Sequence, residues 1–361
     1  MNNFLLNTQD GAVGFLQRLV EIPSLSGEET AVAQFLVTQM NQSGFTAAVD
    51  AAGNAVGSRN QPDKNGTIQR EIVLLGHMDT VPGYIPVRQE AGKLYGRGSV
   101  DAKGPLAAFV VAAARANLPS GSRLIVVGAV EEESATSKGA RFVSNQFQPT
   151  ACIIGEPSGW NGITLGYKGR LLIDACFAQP MSHTAGENRG AAELGMSWYN
   201  KMMAFVAQFN ANKPRLFDQL LPSIRDLHTS SDGLENRLEM KLGIRLPPNF
   251  DVVEFEKWLR ASAGEAGIIH TYAHETAVQS KRTNPLAQAF NRAIRQAGSV
   301  PSYKLKTGTS DMNVVGPIWN CPIVAYGPGE SALDHTPGEH IVIDEYLQAI
   351  DVLQTVLTNL A

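Results

Sequence analysis

The chain has 361 residues, 43% of them hydrophobic and 18% charged, with a formal net charge of −4. That length suggests two domains, each with its own core, and the slightly acidic balance argues against a general nucleic-acid binder. No apolar run approaches a membrane span, and the first residues lack a basic segment followed by an apolar stretch, so neither a membrane protein nor a secretory signal is expected.

Phe15, Leu16, Leu19 and Val20 have helical spacing and predict a helix over 15–22. Pro23 to Glu29 breaks it before a second helix, 29–44, for which Ser26 and Glu29 have the spacing of a capping box. Short strands at 48–50 and 55–57 flank a Gly53-Asn54 turn. Ile72-Val73-Leu74-Leu75 then reads as a buried strand that ends at Gly76-His77-Met78-Asp79-Thr80. In such a His-x-Asp pair, His77 can offer one ring nitrogen to a metal while Asp79 holds the other ring N–H and fixes the tautomer.

The repetition that follows is the strongest feature of the chain. Asp101 sits in a glycine-flanked turn before an Ala/Val/Leu-rich helix that runs to about Asn117. A strand at 123–127 leads into Glu131-Glu132-Glu133, and another at 151–154 ends at Gly155-Glu156-Pro157. From about Lys168 the pattern changes to strand 170–177, helix 191–209, strand 237–245, helix 252–263 and strand 267–273, with one more strand possible in the loop 216–232. That order suggests an inserted α+β domain. The first domain resumes at the helix after Pro285, passes through Gly308-Thr309-Ser310-Asp311, and ends with strand 323–325, the loop carrying His335 and a helix from Asp344.

Carboxylate and imidazole ligands without cysteine suit a catalytic divalent ion better than a structural zinc. Five such ligands plus a spare carboxylate suit a two-ion centre, with the spare Glu as general base. Cys152, Cys176 and Cys321 are odd in number, far apart and set among apolar neighbours, so they read as buried hydrophobes in a reducing compartment, the cytoplasm. Residues 276–310 hold no Asp or Glu but carry Lys281, Arg282, Arg292, Arg295, Lys304 and Lys306, either a solvated face or a docking strip for an acidic partner.

The segments GHMDTVPG at 76–83, GRGSVDAKGPLAA at 96–108, EEE at 131–133, GEP at 155–157 and DHTPGE at 334–339 carry a resemblance that runs along nearly the whole chain. It resembles the dinuclear-metal amidohydrolase/peptidase family that includes acetylornithine deacetylase, succinyl-diaminopimelate desuccinylase and glutamate carboxypeptidase. The resemblance implies an α/β, zinc-peptidase-like catalytic domain with a central mixed sheet (1–167 and 275–361). It also implies an inserted α+β, ferredoxin-like lid (168–274) through which subunits pair as a homodimer.

Carried over by position, the resemblance implies two divalent ions, zinc or cobalt. His77 and Glu156 would hold one, Glu133 and His335 the other, and Asp101 would bridge them, with Asp79 orienting His77 and Glu132 as base. A shift of base and ligand to Glu131 and Glu132 stays open, because the loop 134–138 is longer than in many relatives. His183, in Met181-Ser182-His183-Thr184-Ala185, matches the lid histidine that donates to a neighbouring subunit's oxyanion. Arg245 matches a lid arginine that takes a substrate carboxylate, and Gly308, Thr309 and Ser310 would line the pocket.

Segments 166–171, 306–313 and 326–337 resemble, more narrowly, the hydrolases that release lysine or ornithine from a small acidic amino-group carrier protein. The expected activity is hydrolysis of the amide on the α-amino group of that lysine or ornithine. The alternatives are a deacylase or dipeptidase acting on small N-acyl amino acids and a catalytically silent metal-binding scaffold.

Overall fold

The computed structural model describes residues 4–183 and 189–360. They form two compact units, the first comprising residues up to Gly166, Gln279–Leu305 and those from Ser310 onward, the second Tyr167–Val278 and Lys306–Thr309.

The first unit opens with α1 (Gln9–Glu21), which starts earlier than its apolar spacing predicts because the Thr8 hydroxyl accepts the Gly11 N–H. Helix α2 (Thr30–Gln42) starts without a side-chain cap. Ser26 does not close the expected capping box: its hydroxyl donates instead to Asp79 Oδ2 at 2.7 Å. Glu29, the other half of the expected box, accepts from the Gly27 and Glu131 N–H groups. Both side chains are taken by partners that only the folded chain brings near.

Next come the hairpin β1 (Thr46–Val49) and β2 (Ala55–Gln61), strand β3 (Arg70–His77) and a second hairpin, β4 (Arg88–Glu90) with β5 (Lys93–Tyr95). Helix α3 (Lys103–Arg115) is buried from Lys103 to Ala113: its residues from Leu106 to Ala114 are apolar without a break, and the buried Lys103 donates to the Ile22 carbonyl. Strand β6 (Ser122–Ala129), helix α4 (Lys138–Ser144), β7 (Ala151–Gly155) and β8 (Gly162–Tyr167) complete the first pass.

The second unit is β9 (Gly169–Pro180), α5 (Ala191–Asn210), β10 (Leu221–Ser231), β11 (Glu235–Leu246), α6 (Val252–Ala263) and β12 (Gly267–Glu275). Its antiparallel sheet has the order β10-β11-β9-β12, a ferredoxin-like β-α-β-β-α-β arrangement. The strand suspected within 216–232 is β10, an edge strand. Alternate residues of β11 (Leu238, Met240, Leu242, Ile244, Leu246) bury into a core with Trp198, Met202 and Phe255.

The chain then adds β13 (Val278–Gln279), α7 (Pro285–Gln296), β14 (Ser302–Lys306), α8 (Asp311–Trp319), β15 (Ile323–Tyr326), β16 (His340–Val342) and α9 (Ile343–Asn359). The large mixed sheet runs β1-β2-β6-β3-β7-β15-β8-β13, with β14 paired to β8. Strands β6, β3, β7 and β15 are parallel neighbours. Their C-terminal ends therefore lie side by side, the position at which open α/β sheets present their chemistry.

Helix α3 packs close against these strands because three of them carry glycine where it passes, one being Gly155, where a methyl would stand 2.9 Å from Phe109 Cε2. A methyl placed on Gly76 would meet Leu106 Cδ1 at 3.4 Å, and one on Gly128 would meet its Cδ2 at 3.3 Å. Leu106 is fully buried. Leu106→Ala should cost about 2–5 kcal/mol of stability, read as a lower urea midpoint at unchanged slope; an unchanged midpoint would mean that this contact does not hold helix to sheet.

Candidate metal centre

His77 ends β3, and its Nδ1 lies 3.1 Å from the Asp79 carbonyl oxygen and 3.3 Å from Asp79 Oδ1. Both acceptors hold a proton on Nδ1 and leave Nε2 to face the cluster. Asp79 is fully buried and also accepts the backbone N–H groups of Glu132 (3.1 Å) and Glu133 (3.0 Å). One carboxylate thus ties the end of β3 to the acidic turn that follows β6.

Asp101 lies between the two imidazoles, with Oδ1 3.3 Å from His77 Nε2 and Oδ2 3.0 Å from His335 Nε2. The peptide that follows it is cis. Glu133 Oε1 lies 2.9 Å from His335 Nε2, while Glu132 Oε2 and Glu156 Oε1 each lie 4.0 Å from His77 Nε2. Glu131 has a positive φ and turns away: its carboxylate accepts from Thr136 Oγ1 and lies 3.4 Å from Lys138 Nζ.

Among the described residues, three sets have potential ligand atoms within 4.8 Å of one another: His77, Asp101 and Glu156; His77, Glu132 and Glu133; and Asp101, Glu133 and His335. Asp101 is common to the first and third. Oxygen and imidazole donors without thiolate fit divalent ions of the zinc, cobalt or manganese type.

The crowding of charge sets the titration. Burial pushes the Glu132 carboxyl well above the usual range; His77 opposes this, but Glu156, Asp311 and Glu133 push it further up. Burial also raises Glu133, against its bond to His335. Asp101 goes the other way, held well below its usual value by both histidines despite burial. Burial favours neutral His77, yet Asp101 and Asp79 hold its pKa well above the ordinary value. The bonds to Asp101 and Glu133 raise His335 to about 10.

Of the residues singled out in the sequence, His77, Asp79, Asp101, Glu132, Glu133, Glu156 and His335 come together here. In the second unit, to which the turn 306–309 belongs, Arg245 Nη1 donates to Thr309 Oγ1 at 2.8 Å. Ser310 caps α8 through the Met312 N–H, and Gly308 has open space around its Cα. His183 is exposed, and the Thr184-Ala185 context that follows it lies outside the described residues.

The residues missed are supports. Ser26 reads as a helix cap but binds Asp79, and Glu339, the last residue of the 334–339 motif, is fully buried and accepts the Val100 and Asp101 N–H groups. Asp311 is 2% exposed and adds its charge to that around Glu132. Only a buried charge inside an already suspected motif could have pointed to Glu339.

The fold and the ligand cluster define a divalent-metal hydrolase. The profile of Peptidase family M20/M25/M40 matches residues 73–359. The LysW-lysine hydrolase of Deinococcus radiodurans is 46% identical over 354 residues, 96% of either chain. A LysW-lysine/LysW-ornithine hydrolase of Saccharolobus islandicus is 31% identical over 304 residues, 81% of this chain and 84% of that one. Among solved structures, a metallo-carboxypeptidase from Sulfolobus solfataricus aligns with a TM-score of 0.76 at 18% identity, covering 96% of this chain and 98% of the other. A tripeptidase from Staphylococcus aureus gives 0.80 at 17% identity, covering 97% and 98%. The chain belongs to Peptidase family M20/M25/M40.

A histidine held above its ordinary value steadies the metal-free fold below about pH 6.5 and loses that contribution as pH rises through the folded-state value, about 10 for His335. At neutral pH the metal-free site therefore holds protons on its histidines that a cation must displace. Calorimetry in buffers of different ionisation heat should show proton release on zinc or cobalt binding at pH 7, with affinity falling toward pH 5; binding that releases no protons would contradict this.

Proposed function

We propose that this protein hydrolyses the amide on the α-amino group of lysine, or of ornithine, carried by a LysW-type amino-group carrier protein, and so releases the free amino acid. The observation that carries the reading is the 46% identity over 96% of the chain to the LysW-lysine hydrolase of Deinococcus radiodurans. The intact cluster of His77, Asp101, Glu132, Glu133, Glu156 and His335 supports it.

In this reading His77 with Glu156, and Glu133 with His335, would hold two divalent ions, zinc or cobalt, and Asp101 would serve both sets. When bound, such ions polarise the amide carbonyl and acidify a water held at the site. The chain's own groups do the rest. Glu132 takes a proton from the attacking water and returns it to the departing amine as the carbon–nitrogen bond breaks. Its raised affinity for a proton suits both halves of that task. Asp79 fixes the His77 tautomer and holds the Glu132 backbone. His183 is assigned as donor to the developing oxyanion, and Arg245, held by Thr309, as the grip on a substrate carboxylate. Glu132 as base and Glu133 as ligand is favoured over the shifted pairing because the Glu131 side chain is engaged by Thr136 and Lys138.

We assign the second unit as the lid through which a homodimer forms. Its edge strand β10 is exposed along most of its length and carries Ile224 and Leu227, 45% and 48% exposed. Sedimentation that finds only monomer at working concentration would remove this part. The acidic carrier is assigned to the strip at 281–304, where the Arg282 guanidinium stacks 4.7 Å from the Tyr303 ring and Asn291 links Tyr303 to Arg295.

Amines released from carrier-linked and from acetylated lysine and ornithine can be followed by mass spectrometry. Carrier-linked lysine or ornithine should be cut far faster, and the carrier's binding should weaken with salt. Equal turnover of free acetylornithine, or salt-insensitive binding, would count against the carrier. Glu132→Gln should keep its metal content and lose about 10²–10⁴-fold in turnover, whereas unchanged turnover would refute Glu132 as base.

A further inference from the structure

Arg97 and Glu339 come from two of the sequence motifs, and neither has a role in the mechanism above. Glu339 is fully buried and spends both of its oxygens: Oε1 accepts the N–H groups of Val100 (2.9 Å) and Asp101 (3.1 Å), and Oε2 accepts Arg97 Nη1 at 2.8 Å. Arg97 reaches two further loops, donating through Nε to the Gly83 carbonyl (3.0 Å) and through Nη1 to the Thr336 carbonyl (3.3 Å). Gly83 has a φ of 114°, and a methyl there would stand 3.1 Å from Arg97 Nη2, so this approach requires glycine.

The places joined are the informative part. Gly83 lies four residues after Asp79 in the loop that leaves β3, Asp101 is the shared carboxylate, and Thr336 follows His335. One ion pair therefore touches all three loops that carry the histidines and the aspartate between them. His335 sits on a surface loop at positive φ, where its own backbone supplies little rigidity. A carboxylate paired with a guanidinium and two backbone N–H groups is among the strongest ways to fix such loops.

We propose that the Arg97–Glu339 pair is a positioning device that sets the spacing of His77, Asp101 and His335 and thereby the affinity of the site for its ions. The inference rests on the reading of those three residues as ligands. Neither residue is in the ligand sets; they act through the backbones they hold.

The test is titration of metal-free Glu339→Gln with cobalt(II) beside the wild-type protein, by calorimetry and by visible absorption. Glutamine keeps an oxygen for the two N–H groups but cannot balance the Arg97 charge. At least one cobalt ion should bind about 10–100-fold more weakly, with a changed visible band. If both binding constants and the band match the wild type and only thermal stability falls, the pair is a plain structural brace and the inference is wrong. Should Glu339→Gln not fold, Arg97→Lys decides on the same readouts, since lysine keeps the charge but cannot span Gly83, Thr336 and Glu339 together. Wild-type protein that takes up no cobalt overturns the metal-centre reading and this inference with it, whereas uptake by the wild type that is matched by both variants overturns the inference alone.

Discussion

The constraint on which this structure turns is electrostatic. Asp79, Asp101, Glu132, Glu133 and Glu156 converge around two imidazoles, with contacts of 2.9 to 4.0 Å between the imidazoles and the carboxylates. Two like charges at about 4 Å repel by roughly 4 kcal/mol even at a moderate effective dielectric, and this site is largely buried. Bonds to Asp101 and Glu133 raise His335 to about 10, and burial, with the neighbouring carboxylates, pushes Glu132 well above its usual range. Divalent cations bound among these groups would relieve that repulsion, and Asp101 already reaches both histidines.

That arrangement depends on backbone held from beneath. The parallel strands β6, β3 and β7 end in register, Gly128 beside Gly76 and Gly76 beside Gly155, so the residues that follow them emerge from one edge. Asp79 then binds the turn after β6, Ser26 binds Asp79, and Glu339 binds the Asp101 turn. The clustered side chains come from strand ends and loops, and the turns at 131–133 and 100–101 are tied by buried carboxylates to neighbours distant in sequence. Function here draws on the same polar contacts that make irregular backbone tolerable in a buried place.

Much of this was legible from residue order. Four apolar residues before His77 and apolar strands before the acidic turns announced β3, β6 and β7, because a fully buried parallel strand has little choice of composition. The inserted β-α-β-β-α-β unit was readable from its alternating periods, and β10 was only suspected, since an exposed edge strand lacks the apolar alternation that marks a buried one. Ser26 reads as a helix cap because a serine three residues before a glutamate has that pattern whatever lies across the fold, here Asp79. The short strands β4, β5 and β16 carry too few residues to show a period, and Cys176 and Cys321 are half-buried where only Cys152 is fully enclosed. Arg97 and Glu339 lay inside recognised motifs, but their pairing spans 242 positions and becomes visible only in three dimensions.

The most direct measurement is a diffraction map of crystals soaked with zinc, collected at the zinc edge. The account predicts two anomalous peaks about 3.5–4 Å apart, with Asp101 between them, His77 and Glu156 on one and Glu133 and His335 on the other. Asp101 turned away from both histidines, with no peak among these residues, would contradict it.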